Sequence, residues 1–176
     1  TPSVLSCHSG HHFPYNILIL FFKANPSTKV PSPSPTVKIV DPNGLPDDRF
    51  GTSVATFGDT VVVGAWVDDG NGENSGSAHV FQTTGGSFGH VELVDPDGSA
   101  DHQFGRSVAI SGDTVVVGAI GDGENGPLSG AAYIFIRSGG SWSFQAKLID
   151  PNGSAGHNFG EGVSGSDVVT EAISDN

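Results

Sequence analysis

This chain repeats itself, and that constrains its fold more than any other feature. The opening Asp-Pro-(Asn/Asp)-Gly occurs at 41–44, 95–98 and 150–153. Phe-Gly follows each opening at the same offset, at Phe50-Gly51, Phe104-Gly105 and Phe159-Gly160. In the first two copies the agreement continues through Gly-Asp-Thr-Val-Val-Val-Gly-Ala, at 58–65 and 112–119. A period of this length marks supersecondary units that bury their apolar faces only by stacking on a neighbour.

Within each full repeat, alternation, β-branched residues and turn punctuation predict four strands. They fall at 52–56, 59–65, 77–83 and 87–94 in the first copy, and at 106–110, 113–119, 130–137 and 142–149 in the second. The Val61-Val62-Val63 and Val115-Val116-Val117 runs are apolar on both faces, as a strand covered on both sides must be. Phe50 and Phe104 read as core wedges, and the glycine after each permits close backbone approach. With 26 glycines, 11 prolines and no methionine, the composition suits many tight turns and argues against long helices.

These segments resemble FG-GAP repeats, the blade motif of integrin α-subunit propellers and of many secreted or surface proteins. The resemblance covers 41–149 well and 150–176 poorly, where Glu171-Ala172 replaces Gly-Ala. It implies an all-β fold of two complete four-stranded antiparallel blades and a partial third. The expected organisation is an apolar segment at 1–24, a Pro/Ser/Thr linker at 25–37, repeats at 38–94 and 95–149, and a degenerate repeat at 150–176. A closed propeller needs roughly 4–8 blades, so two and a fraction must cover their open edges in another way or belong to a larger ring.

Calcium is the cofactor that the resemblance implies, held in the loop after Gly-Ala. The donors there would be Asp68, Asp69, Asn71 and Glu73 in the first copy, and Asp122 and Glu124 in the second. Hard cations take about 6–8 oxygens from a bent loop. Neither loop has the full DxDxDG spacing, and both also read as solvated acidic turns. His102 and His157 occupy matching positions just before Phe-Gly, which points to a shared structural environment rather than to catalysis.

All 19 acidic residues lie at or after Asp41, whereas the first 40 residues carry Lys23, Lys29 and Lys38 and no acid. So acidic a body repels phosphate backbones and excludes a nucleic-acid role. The apolar stretch Phe13, Ile17, Leu18, Ile19, Leu20, Phe21 and Phe22 is too short to span a bilayer as a helix, which takes roughly 20 apolar residues. Followed by an extended proline-rich spacer, it resembles a donor strand that completes a sheet in another copy of the chain. Head-to-tail exchange of that kind gives filaments.

Asn152 begins the only N-x-S/T sequon, in a predicted turn, and the spacer offers Thr28, Ser32, Ser34 and Thr36 as O-glycosylation acceptors. Cys7, His8, His11 and His12 are metal-binding types crowded near the start of the chain, without tetrahedral ligand spacing. Cys7 is the only cysteine, so no intrachain disulfide forms. No G-x-S-x-G, H-E-x-x-H or G-x-x-x-x-G-K-[ST] sequence is present. The sequence is therefore read as a non-enzymatic extracellular structural protein that assembles with copies of itself and carries glycans. The alternative is a stretch of a larger calcium-supported propeller that binds protein or carbohydrate ligands, and a non-catalytic module of a secreted hydrolase is a third reading.

Overall fold

The computed structural model describes residues 17–19, 37–84 and 87–164. Its ten strands are β1 (Ile17–Ile19), β2 (Val37–Ile39), β3 (Ser53–Phe57), β4 (Thr60–Ala65), β5 (Ser77–Thr84), β6 (Ser87–Leu93), β7 (Phe104–Ser111), β8 (Thr114–Ala119), β9 (Ala131–Ser138) and β10 (Ser141–Leu148). There is no helix among the described residues, so none is long and apolar enough to cross a membrane. β3 to β6 form one antiparallel meander, blade 1, and β7 to β10 form another, blade 2. The eight predicted blade strands are all present, with ends that differ by at most two residues.

The valine triplets explain how the blades stack. In β4, Val62 joins Val80 and Leu93 in a cluster that also contains Phe104, Val108, Val115, Val117, Tyr133 and Phe135 of blade 2. Val61 and Val63 point the other way, into a smaller cluster with Phe81 and with Ile39 of β2. In β8, Val116 faces outward with Ala132 and Phe159. Each valine triplet is thus apolar at all three positions, because the two faces of its strand enter two different cores. Burying one such valine contributes roughly 1.5–3 kcal/mol.

Backbone hydrogen bonds join the blades alongside this shared core. The Phe104 amide donates to the Ser75 carbonyl at 2.9 Å, and the Phe159 amide donates to the Ser129 carbonyl at 3.0 Å. Gly105 and Gly160 have φ of 89° and 85°, which lets each peptide lie against the preceding sheet. A Cβ on Gly64 would come within 2.0 Å of the Gly105 carbonyl oxygen, and one on Gly118 within 1.9 Å of that of Gly160. The expected wedge is therefore a joint in which Phe-Gly of one repeat seals the blade before it. Phe104 is fully buried at this joint, edge-on to Tyr133 with ring centroids 5.4 Å apart.

The third repeat contributes its opening turn and its Phe159-Gly160 joint, and no strand among its described residues, 150–164. β1 pairs antiparallel with β2 of the same chain, Ile17 opposite Ile39 and Ile19 opposite Val37. The remainder of the expected donor segment, Phe13, Leu20, Phe21 and Phe22, lies outside the described residues. So do Thr28, Ser32, Ser34, Thr36, Cys7, His8, His11 and His12.

Candidate functional site

The aspartate that opens each repeat is fixed by its own turn. Asp41 Oδ1 accepts the Asn43 amide at 2.9 Å, Asp95 Oδ1 the Asp97 amide at 2.8 Å, and Asp150 Oδ1 the Asn152 amide at 2.8 Å. These are Asx turns, in which the side chain takes the place of a backbone acceptor. With Oδ1 occupied, Oδ2 turns inward toward the loop that follows the second strand of the blade. Two groups of potential ligands result, Asp41-Asp68-His79 in blade 1 and Asp95-His102-Asp122 in blade 2.

In blade 1, Asp68 Oδ1 accepts the Gly70 amide at 2.7 Å and its Oδ2 accepts the Ser77 hydroxyl at 3.0 Å. His79 on β5 is fully buried, with Nε2 3.5 Å from Asp41 Oδ2 and 2.8 Å from Ser77 Oγ. Its Nδ1 lies 3.0 Å from Nε2 of His90 on β6, and the two rings stack with centroids 5.3 Å apart. Asp41 Oδ2 is buried and has no hydrogen-bond partner.

The electrostatics follow from this crowding of acids. Burial raises the carboxyl pKa of Glu92, and the charges of Asp68 and Asp41 raise it further. Asp48 is also raised, first by burial and then by Asp68, Asp41 and Asp69, against the lowering effect of the Leu45 amide. Burial lowers His79 and His90 more strongly than Asp41 raises them, so both rings favour the neutral form.

Blade 2 fills the matching place with its own cation. Lys147 on β10 lies opposite Tyr133 on β9, as Glu92 on β6 lies opposite His79 on β5. Its ammonium donates to Asp122 Oδ2 and to Glu124 Oε2, each at 2.8 Å, and stands 3.6 Å from Asp97. The Tyr133 hydroxyl donates to Asp122 Oδ2 at 2.6 Å, and His102 Nδ1 lies 2.6 Å from Asp95 Oδ2. His157 sits likewise near Asp150, at 3.6 Å, so the shared environment expected for His102 and His157 is the opening aspartate of their own repeats.

Of the expected calcium donors, only Asp68 and Asp122 belong to these groups. Asp69 Oδ1 accepts the Asn74 amide at 2.7 Å, and the Asn71 amide group reaches across the joint to the Asp95 carbonyl at 3.0 Å. Glu73 meets the next repeat through its backbone, its carbonyl accepting the Asp101 amide at 2.7 Å, and Glu124 is engaged by Lys147. Asn152 is exposed at its turn. Asp41, His79, His90 and Glu92 were not singled out from sequence. The signal for Asp41 was present in the opening motif, but that of His79 is hidden in a strand where blade 2 has tyrosine.

No curated protein matches the chain. The family model for the FG-GAP repeat matches residues 34–81 and 90–135, together more than half of the sequence, and each match begins just before an opening aspartate or within the strand that leads to one. On these matches and on two sheets of four antiparallel strands joined at Phe-Gly, the chain belongs to the FG-GAP repeat family.

Proposed function

We propose that this chain is a non-enzymatic extracellular structural module that joins copies of itself, by exchange of the apolar segment at 13–23, into a glycosylated fibre or surface layer. FG-GAP repeats occur in extracellular or surface proteins and are generally binding or adhesion domains. The observation that carries the assembly reading is the β1–β2 pairing. A three-residue strand, followed in sequence by a proline-rich spacer, pairs with β2, whose Ile39 packs on Val61, Val63 and Phe81 of blade 1. The same edge accepts the same strand from another copy, and exchange of identical elements is a low-cost route to assembly. Light scattering and electron microscopy of the intact chain test this. Polymers that disappear on deletion of 13–23 support the reading, and a monodisperse monomer of the intact chain refutes it.

A second reading, favoured by the Phe159-Gly160 joint, is a stretch of a larger propeller that binds protein or carbohydrate ligands with calcium support. Blade 2 grips the third repeat as blade 1 grips the second, which is how successive blades of a ring connect. A longer natural chain with further blades, and ligand binding that falls on chelation of calcium, would favour this reading over the fibre.

A further inference from the structure

We propose that Asp41, Asp68 and His79 form a divalent-cation site of transition-metal type, and that zinc is the ion that their ligand chemistry fits. The first observation is geometric. One ligand atom from each residue falls within 4.8 Å of the others, and His79 Nε2 stands 3.5 Å from Asp41 Oδ2. Two ligands at about 2.0–2.1 Å from a tetrahedral zinc stand roughly 3.4 Å apart.

The second observation is independent of the clustering. Asp41 is 8% exposed, and its inward Oδ2 has no hydrogen-bond donor. An ionised oxygen in that position needs a positive partner. His79 does not provide one: its Nε2 stands 3.5 Å from Asp41 Oδ2 without a hydrogen bond to it, and lies 2.8 Å from Ser77 Oγ instead. If Nδ1 donates to His90 and the Ser77 hydroxyl, 2.8 Å from Nε2, gives its one proton to Asp68, the Nε2 lone pair is left for a metal, and His90 becomes the orienting partner that metal-bound histidines ordinarily have. The Ser77 hydroxyl holds Asp68 in the same way.

The third observation is the comparison between blades. Where blade 2 places Lys147, blade 1 places Glu92, and where blade 2 places Glu124, blade 1 places Gly70. Blade 2 thus carries its cation on its own chain, at 2.8 Å from Asp122. Blade 1 keeps the corresponding carboxylates and replaces the lysine with another acid, so its cation must come from solution. A Cβ on Gly70 would stand 3.0 Å from Asp68 Oδ1 and 3.8 Å from Glu92 Oε1, so the Glu92 carboxylate lies near the Asp68 loop without belonging to the three-residue group. Imidazole with carboxylates suits zinc, whereas calcium takes about 6–8 oxygens. The ion would tie the start of the first repeat to β5 and to the loop after β4.

The test uses the full chain with Cys7→Ser, His8→Ala, His11→Ala and His12→Ala, stripped with chelator and titrated with Zn2+ by calorimetry, with metal content measured after dialysis. One equivalent per chain and a raised melting temperature are expected. Glu92→Lys and His79→Tyr copy the arrangement of blade 2, so both should keep a cooperative melt while losing zinc uptake. His90→Ala should weaken zinc binding by about 10–100-fold. The proposal is overturned if the parent takes up no zinc saturably, if both blade-2 substitutions leave uptake unchanged, or if Ca2+ binds as tightly as Zn2+.

Discussion

The Ser53 hydroxyl donates a 2.8 Å hydrogen bond to the backbone carbonyl of Gly105, and Ser107 repeats the contact on Gly160 at 2.7 Å. Each bond ties the first strand of a blade to the joint that seals the same blade, across more than fifty residues of chain. Gly64 and Gly118 stand beside these carbonyls with no room for a side chain.

Gly64→Ala therefore forces the two blades apart, whereas Ser53→Ala removes one half-buried hydrogen bond. Urea unfolding should report a loss of about 0.5–1.5 kcal/mol for Ser53→Ala. Gly64→Ala should cost at least about 2 kcal/mol, since overpacking against backbone has little scope for relaxation. Equal costs would mean that the joint yields more easily than its geometry implies.

Leu128 has φ of 57° and is largely exposed, whereas Asn74 holds the matching place in blade 1 at 49°. Leucine in the left-handed region is strained and asparagine tolerates it. Leu128→Asn should raise stability by about 0.5–1 kcal/mol in a thermal melt, and a loss would show that the leucine side chain contributes packing at the loop.

The Asp122–Lys147 pair should give the fold a stability plateau in pH. Burial alone would raise Asp122, but the Lys147 ammonium, the Tyr133 hydroxyl and the Glu124 amide outweigh it and hold the carboxyl below its usual range. Burial alone would lower Lys147, yet Asp122 and Glu124 raise it above its ordinary value. A depressed carboxyl contributes stability above its unfolded pKa of about 4, which is lost as pH falls through the folded value. A raised amine contributes fully below about 10.4, and that part is lost as pH rises through the folded value. Lys147→Gln should cost about 1.5–3 kcal/mol near neutrality, with a difference from the parent that shrinks in acid and in strong alkali. A difference that stays constant from pH 3 to pH 11 would rule out the pair as its source.

The blades were legible in the sequence because their strands announce themselves locally. Val-Val-Val at 61–63 and 115–117 needs two covered faces, and Gly-Asp at 58–59 and 112–113 supplies the turn before it. Phe-Gly was read as a wedge, and only the fold shows that Phe104 works mainly on the core shared with the preceding blade. The Asp41-Asp68-His79 group was not legible. Its members lie in a turn, a loop and a strand interior, and they meet only because Ile39 docks on Val61, Val63 and Phe81 and carries Asp41 inward. The loop residues Asp69, Asn71 and Glu73 were read together as calcium donors, while in the fold they serve separate bonds of the loop and the joint.

The joint between blades has an evolutionary consequence. The part of it made by main-chain carbonyls, amides and glycines carries almost no information about which blade follows which. A duplicated repeat would find that part of the joint ready beside its parent, and order along the array rests on covalent connection and on the side chains of the shared core. Divergence is then free to act on the pocket at the end of each blade, where one copy has acquired a lysine and its neighbour a histidine and an extra acid.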